Sequence, residues 1–555
     1  MAQIAITDAA YTYPGQRQAA LAGITLAAEA GEFVVVCGPS GSGKSTLLKL
    51  LKPDLLPAGR LAGEVRFNGS PLASYRPLEL SQRIGMVMQN PESQIVMERV
   101  MEELTFSLEN VGVAPLHMRK RVAEIAQLFD LEPLLAKPTL ELSGGQRQLI
   151  NLASVLVLQP EVLLLDEPTA ELDPVAAREF LQLVRRMNEE FGITVIVTEH
   201  RMEEVWPLAD RIVIVQDGRA TAQGTPAELA RTNDPAAAAF LPEAGKLFRA
   251  LGIGGAPFLR AKEARQALRA HLGAPSAAAD SGARSAADKR SRGRTAPELR
   301  ADDVWFRYGK AAPILRGVSL DVAAGELLVL FGANGSGKST LLQVLCGLLP
   351  VQSGQVAFAG KPIKRIDERE RYARIGYLAQ NPLLHFLGET VETELRTAAA
   401  RARSLGLPTT EDELLAPFAE AGLLQRHPYD LSGGERQQLA LSGILATQPK
   451  LLLLDEPTKG LDPEAKRALA VRLRAECAKG GAIVMASHDV EFAAAHATRC
   501  AMLFDGLIVA DAEPAAFFSG NYFYTTAVNR LMREWQPNAI TVKDVIGTCA
   551  PAFSS

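Results

Sequence analysis

At the usual 100 to 200 residues per domain, 555 residues should hold roughly three or four domains, more than one hydrophobic core organises. Hydrophobic residues are 47% and charged residues 22%, with 78 Gly and Pro together, which excludes collagen, bulk disorder and an integral membrane protein. Lys and Arg (59) against Asp and Glu (63) leave a formal charge of -4, which argues against a chain whose main work is coating nucleic acid.

The opening MAQIAITDAAYTYPG has neither a basic n-region nor an apolar h-region, and no apolar run approaches 18 residues. The expectation is a chain neither secreted nor membrane-spanning by itself. Cys37, Cys346, Cys477, Cys500 and Cys549 are scattered, so neither a zinc ribbon nor a disulfide framework is expected, and a reducing compartment is.

In chain order, IAITDAAYTY and GEVRFNG read as strands of a small antiparallel subdomain. FVVVCG (33–38) reads as a buried strand feeding a glycine-rich turn, and Lys44 opens a helix. Gly38-Pro-Ser-Gly41-Ser-Gly43-Lys44-Ser45 fits G-x-x-x-x-G-K-[ST] in the strand-to-helix context that defines a P-loop. Its glycines let backbone N–H groups wrap phosphates at a helix N-terminus, where Thr46 follows; Lys44 reaches the β- and γ-phosphates and Ser45 places a hydroxyl on Mg²⁺.

Further on, Ser143-Gly144-Gly145 of LSGGQ opens a helix and offers a second anion site, although the P-loop already cradles one nucleotide's phosphates. VLLLDE (162–167) ends in Asp166, at the C-terminal tip of a buried strand, placed to hold Mg²⁺ through water. Glu167 follows as the candidate to orient or deprotonate the attacking water. ITVIVTEH (193–200) is another strand. Residues 241–272 read as helical.

All of this then recurs. GSGKSTLL has its lysine at 44 and 338, LSGG begins at 142 and 431, and LLLDEPT at 163 and 452. Several motifs in one order at offsets of 294 and 289 mean a module of about 230 residues duplicated within the chain. The second set is Gly332, Gly335, Gly337, Lys338, Ser339 and Thr340 in the P-loop, Ser432, Gly433 and Gly434 in LSGGE, and Asp455 with Glu456. The alternation of strands and helices implies an α/β fold: two P-loop NTPase domains, each a mainly parallel sheet with a small antiparallel β subdomain and a helical subdomain. Boundaries are expected at 1–235 for the first ATPase domain, 236–275 for its C-terminal extension, 276–296 for a flexible Ala/Ser-rich linker, 297–518 for the second domain and 519–555 for a tail. About 20 linker residues reach roughly 25 Å.

The ordered set of P-loop, Gln, LSGGQ, DE and His resembles the ATPase subunit of ABC transporters over both copies. The resemblance implies that Gln89 and Gln380 sense Mg²⁺ and a membrane partner, that His200 and His488 contact the γ-phosphate, and that Tyr13 and Tyr308 stack on adenine. Asp173 and Asp462 match its D-loop. It also implies ATP and Mg²⁺ as cofactors, hydrolysis coupled to transport, and pairing of the two halves so that each P-loop faces the other half's LSGG.

The segment Gln89-Asn-Pro-Glu-Ser-Gln94-Ile-Val, running on to LTFSLEN (104–110), is similar to the ATPases of energy-coupling factor (ECF) importers. Copy two departs from it, with Gln380-Asn-Pro-Leu-Leu-His. This likeness implies a transmembrane coupling protein and a small substrate-binding membrane protein as partners. The cargo would be a vitamin, a vitamin precursor or a metal ion, and the chain would sit peripherally on the cytoplasmic membrane face. Soluble tandem ATPases acting on the ribosome are the alternative; they usually carry a long charged helical linker, and this one is short and helix-poor. No nucleic acid partner is expected. After Gln89 the sequence predicts a helix with Ile95, Val96, Val100, Leu104 and Leu108 at helical spacing, whose exposed part, with Glu98, Glu102 and Glu103, forms a groove for a basic helix of the partner. The segment after Gln380 is expected to be interrupted at Gly388.

Overall fold

A computed structural model of the protein describes residues 2–16, 18–232, 234–253, 261–273, 297–522 and 524–549. The chain divides into two compact units, one built on the residues up to Arg249 and the other on those from Ala261 onward.

Among its described residues the first unit has ten strands: β1 (Ile4–Thr12), β2 (Leu21–Ala28), β3 (Phe33–Cys37), β4 (Arg60–Phe67), β5 (Ser70–Pro71), β6 (Ile84–Val87), β7 (Val162–Asp166), β8 (Thr194–Thr198), β9 (Arg211–Gln216) and β10 (Arg219–Gly224). β2-β1-β4-β5 is the expected antiparallel subdomain, and β10-β9-β3-β8-β7-β6 is the main sheet, parallel except for β10. β3, β7 and β8 are buried at every residue, as their unbroken apolar runs require in a sheet covered on both faces. The register sets Val36 and Asp166 both opposite Thr198, so three strand ends finish at one level. Ligands of such sheets bind beyond the carboxyl ends of the strands, and the P-loop leaves β3 there.

The second unit repeats this with β11 (Leu299–Phe306), β12 (Leu315–Val322), β13 (Leu327–Phe331), β14 (Ser353–Phe358), β15 (Lys361–Pro362), β16 (Ile375–Leu378), β17 (Leu451–Asp455), β18 (Ala482–Ala486), β19 (Arg499–Phe504) and β20 (Leu507–Ala512). The orders are β12-β11-β14-β15 and β16-β17-β18-β13-β19-β20. A helix at Pro514–Gly520 closes its sheet, with Phe517 stacked on Phe331 of the P-loop strand at 5.5 Å between ring centres.

Two expectations change. The long helix after Gln89 is instead a 3-10 turn at Pro91–Ser93 and a helix that starts only at Val100 and runs to Asn110. Glu103 is the reason: its buried carboxylate accepts from the N–H groups of Val96 (2.9 Å) and Met97 (2.8 Å), holding that stretch non-helical. Val100, Leu104 and Leu108 are fully buried in their own unit's core, which removes them and Glu103 from any groove. In copy two, Gly388 lies ahead of an uninterrupted helix, Val391–Ser404. Second, the helix Ala261–Leu272, read as part of the first copy's extension, packs on the tail of the second unit: Arg265 Nη2 donates to Arg530 O (2.9 Å), Arg269 pairs with Glu534 (2.8 Å), and Trp535 Nε1 donates to Gly273 O (3.1 Å). The linker read at 276–296 lies outside the described residues. No helix among those described is long and apolar enough to cross a membrane.

Candidate nucleotide sites

Each P-loop has a first and a last glycine, Gly38 and Gly43 or Gly332 and Gly337, at which a Cβ would collide with a neighbouring segment. At Gly38 a Cβ would lie 2.0 Å from Val215 O, and at Gly43, with φ +100°, 2.5 Å from Ala20 O. The helix Lys44–Leu50 begins directly after Gly43, and Lys338–Leu345 directly after Gly337. Lys44 Nζ donates to Gly38 O (2.9 Å) and Pro39 O (2.8 Å), and Lys338 Nζ to Gly332 O (2.8 Å). Ser42 Oγ and Ser336 Oγ are buried in these loops and meet no partner among the described residues.

Beside the first loop, Ser45 Oγ donates to Asp166 Oδ1 (3.0 Å), and so does Thr198 Oγ1 (2.8 Å). Burial, then the neighbouring Glu167, pushes the Asp166 carboxyl up, against those two hydrogen bonds. Glu167 sits at φ +44°, a left-handed backbone that costs of order 1 to 3 kcal/mol in a non-glycine residue. That backbone is clamped: Glu167 N donates to Thr198 O (3.1 Å) and Thr198 Oγ1 (2.9 Å). The turn aims the side chain at two partners, Gln89 Nε2 at 2.8 Å and His200 Nε2 at 2.9 Å. P-loop, Gln89, Asp166, Glu167 and His200, far apart in sequence, thus converge as expected.

The second site has the same members in another arrangement. Glu456 also has a left-handed backbone, φ +52°, with its N–H on Ala486 O (2.9 Å). His488 Nε2 lies 3.2 Å from Glu456 Oε1, but also 3.1 Å from Lys338 Nζ and 3.1 Å from Asn334 Oδ1, and His488 N donates to Glu456 Oε2 (3.2 Å). Where Thr198 stands in the first unit the second has Ala486, with no hydroxyl, and Asp455 Oδ1 is buried with no hydrogen-bond partner among the described residues. Burial raises the Asp455 carboxyl and pushes Glu456 up to about 7, Lys338 opposing in both.

Tyr13 and Tyr308 stand over the P-loop helices, their hydroxyls 3.0 Å from Thr46 Oγ1 and 3.4 Å from Thr340 Oγ1. Each packs edge-on against the preceding aromatic, Tyr11 or Phe306. Ser143 and Ser432 cap the helices Gly144–Leu156 and Gly433–Leu445. Gln146 and Glu435 return the bond to the serine N–H at 3.0 and 2.7 Å, a reciprocal cap that explains why the motif's fifth residue can be either Gln or Glu. A Cβ at Gly433 would meet nothing within 4 Å. Packing within its own unit therefore does not demand that glycine. Asp173 and Asp462 cap the helices Pro174–Phe191 and Pro463–Ala478.

The ABC transporter profile matches residues 21–170 and again 315–459, just over half of the chain. The chain belongs to that family. An ABC transporter ATP-binding protein, provisionally so named, of Bacillus thuringiensis subsp. konkukian is 43% identical over 99% of this chain and 98% of its own; one of Streptomyces avermitilis is 37% identical over 95% and 97%. The solved cbiO1 of Clostridium perfringens, part of the ABC transporter complex cbiONQ, is 33% identical over 41% of this chain and 90% of that one, with a TM-score of 0.38.

The protein is a tandem ABC ATPase, an enzyme that hydrolyses ATP. The oxygen set of Ser45 and Asp166, and of Ser339 with the unpartnered Asp455 Oδ1, suits a hard divalent cation such as Mg²⁺, which would neutralise charge on the phosphates. Sequence reading missed several participants of these sites. Thr198 and Glu199 in the first unit and Asn334 in the second all touch the motif residues. Gln94, part of the segment that resembles ECF ATPases, bonds the backbone of Met88 (N, 2.9 Å) and Met86 (O, 3.2 Å), and His385 takes the Ala379 N–H at 3.1 Å in copy two. Only the polar residue ending an otherwise apolar strand, TE before His200, could have signalled the first pair.

Proposed function

We propose that this tandem ATPase is the energy-coupling subunit of an ECF-type importer for a vitamin, vitamin precursor or metal ion, binding MgATP at two composite sites formed between its halves. One site uses Lys44, Ser45, Asp166, Glu167 and His200 with Ser432 and Gly434; the other uses Lys338, Ser339, Asp455, Glu456 and His488 with Ser143 and Gly145. The observation that carries the composite sites is that Ser143, Gly144 and Gly433 are exposed at capped helix N-termini, ready for an anion that their own P-loop does not supply. Coupling to a transmembrane protein at the cytoplasmic face is supported by the segments after Gln89 and Gln380. The first leaves Val96, Met101, Glu98 and Glu102 exposed, the second Leu384 and Leu387. Two unlike surfaces fit an asymmetric partner with a basic helix at the acidic one. Charge reversal at Glu98 and Glu102 is expected to weaken co-purification with the membrane partner from detergent-solubilised membranes while leaving nucleotide affinity of the soluble chain unchanged. Undiminished co-purification removes the docking surface, and recovery of ribosomes in place of a membrane partner removes the importer.

A further inference from the structure

We propose that Glu199 is a positioning residue of the first ATPase site: by taking the backbone N–H of His200, it leaves both oxygens of Glu167 to side chains that act on the nucleotide. Glu199 is only 2% exposed, at the end of β8. A buried carboxylate is tolerated when fully hydrogen-bonded, and this one is: Oε1 accepts from Thr169 N (3.1 Å) and Thr169 Oγ1 (2.6 Å), and Oε2 from His200 N (3.1 Å). It bridges the exits of β7 and β8, two residues beyond Glu167 on one side and directly before the histidine on the other.

The fold does not demand a carboxylate there. The second unit joins the same two strand exits with a neutral pair, Ser487 Oγ to Thr458 Oγ1 at 3.0 Å, and Ser487 Oγ accepts from Asp489 N (3.0 Å). What differs is the histidine N–H. His488 N, preceded by Ser487 where the first unit has Glu199, donates to Glu456 Oε2, the catalytic carboxylate itself. In the first unit Glu199 intercepts that donor, and Glu167 meets Gln89 Nε2 and His200 Nε2 instead. Since proton transfer depends on how the carboxylate is presented, a main-chain bond to it both turns it and weakens it as a base. The inference rests on ATP hydrolysis alone and not on the importer reading.

The test is single-turnover hydrolysis of prebound ATP by the full chain carrying Glu199→Ser, which restores in the first unit the hydroxyl pair that suffices in the second, with Thr169 as its partner. The expected result is a melting temperature within about 2 °C of the parent and ATP affinity within twofold. At least half of the hydrolytic amplitude should slow threefold or more. Glu199→Ala, without the hydroxyl pair, should lose both rate and stability. A parent-like time course in Glu199→Ser overturns the proposal. So does a rate loss that merely tracks the melting temperature across Glu199→Ser, Glu199→Ala and Glu199→Gln, since that is what a purely structural strut would give.

Discussion

The two ATPase sites carry the same motif residues and differ in the residues between the motifs. In the first, Thr198 donates to Asp166 and accepts from Glu167 N, while Glu167 is bonded by Gln89 and His200. In the second, with Ala486 in that place, Asp455 Oδ1 has no hydrogen-bond partner among the described residues, and His488 stands between Glu456, Lys338 and Asn334. The lesson is that a duplicated motif set fixes which groups meet, while neighbours at the strand ends fix how each carboxylate is held before nucleotide arrives.

The largest expected effect tests whether both sites work. Glu167→Gln and Glu456→Gln should each slow hydrolysis at their own site on the order of 10² to 10⁴-fold with nucleotide binding retained, as measured by steady-state ATPase assays and nucleotide titration. If one variant keeps full activity while the other has none, the two sites are not equivalent in competence. Next comes the pairing of halves. Added to Glu167→Gln, Ser143→Arg should abolish the remaining turnover, because it strikes the other site, whereas Ser432→Arg should leave most of it, because it strikes the same site twice. The reverse pattern would assign each signature segment to its own P-loop.

A smaller effect converts one site toward the other. Thr198→Ala removes the hydroxyl shared by Asp166 and Glu167 and should raise the Mg²⁺ concentration for half-maximal activity several-fold, with a stability loss of about 1 kcal/mol. Ala486→Thr should shift the second site the other way. The smallest is a pH effect. Burial raises the Glu456 carboxyl from its ordinary 4.5 to about 7, so folding favours its protonated form. Its contribution is fully present below pH 4.5 and is lost as pH rises through 7. Glu456→Gln should therefore raise the melting temperature of the nucleotide-free protein more at pH 8 than at pH 5.5. Equal shifts at both would mean that the carboxylate is solvated.

Much of this was legible in the sequence because the P-loop, the DE pair and the strand ending at His200 are local patterns whose geometry follows from buried strands stopping at one level. The helix starts at Ser143 and Ser432 were legible too, while the reciprocal bonds from Gln146 and Glu435 that close each cap came only with the structure. What escaped depends on hydrogen-bond partners that neither periodicity nor motif spacing names. Nothing local to Glu103 says that it will fold back onto the N–H groups of Val96 and Met97 and stop a helix that periodicity alone would start earlier. Nor does Glu199 announce that its partner is Thr169, 30 residues upstream. The helix Ala261–Leu272 carries an apolar stripe, with Ala264 and Leu268 buried, but a stripe does not name the surface that it will cover.

That helix changes which part of the chain an engineer should adjust. With Arg265, Arg269 and Gly273 fastened to Arg530, Glu534 and Trp535, the described residues on both sides of 274–296, Gly273 and β11, belong to the second unit. Residues added between those two points lengthen a connection within one unit, and the entropic cost of that grows only slowly with length. The chain has passed into the second unit by Ala261, so the effective concentration of one ATPase half at the other depends on chain length ahead of that helix. Insertions there should dilute cooperative turnover, whereas insertions of the same length after Gly273 should leave it intact.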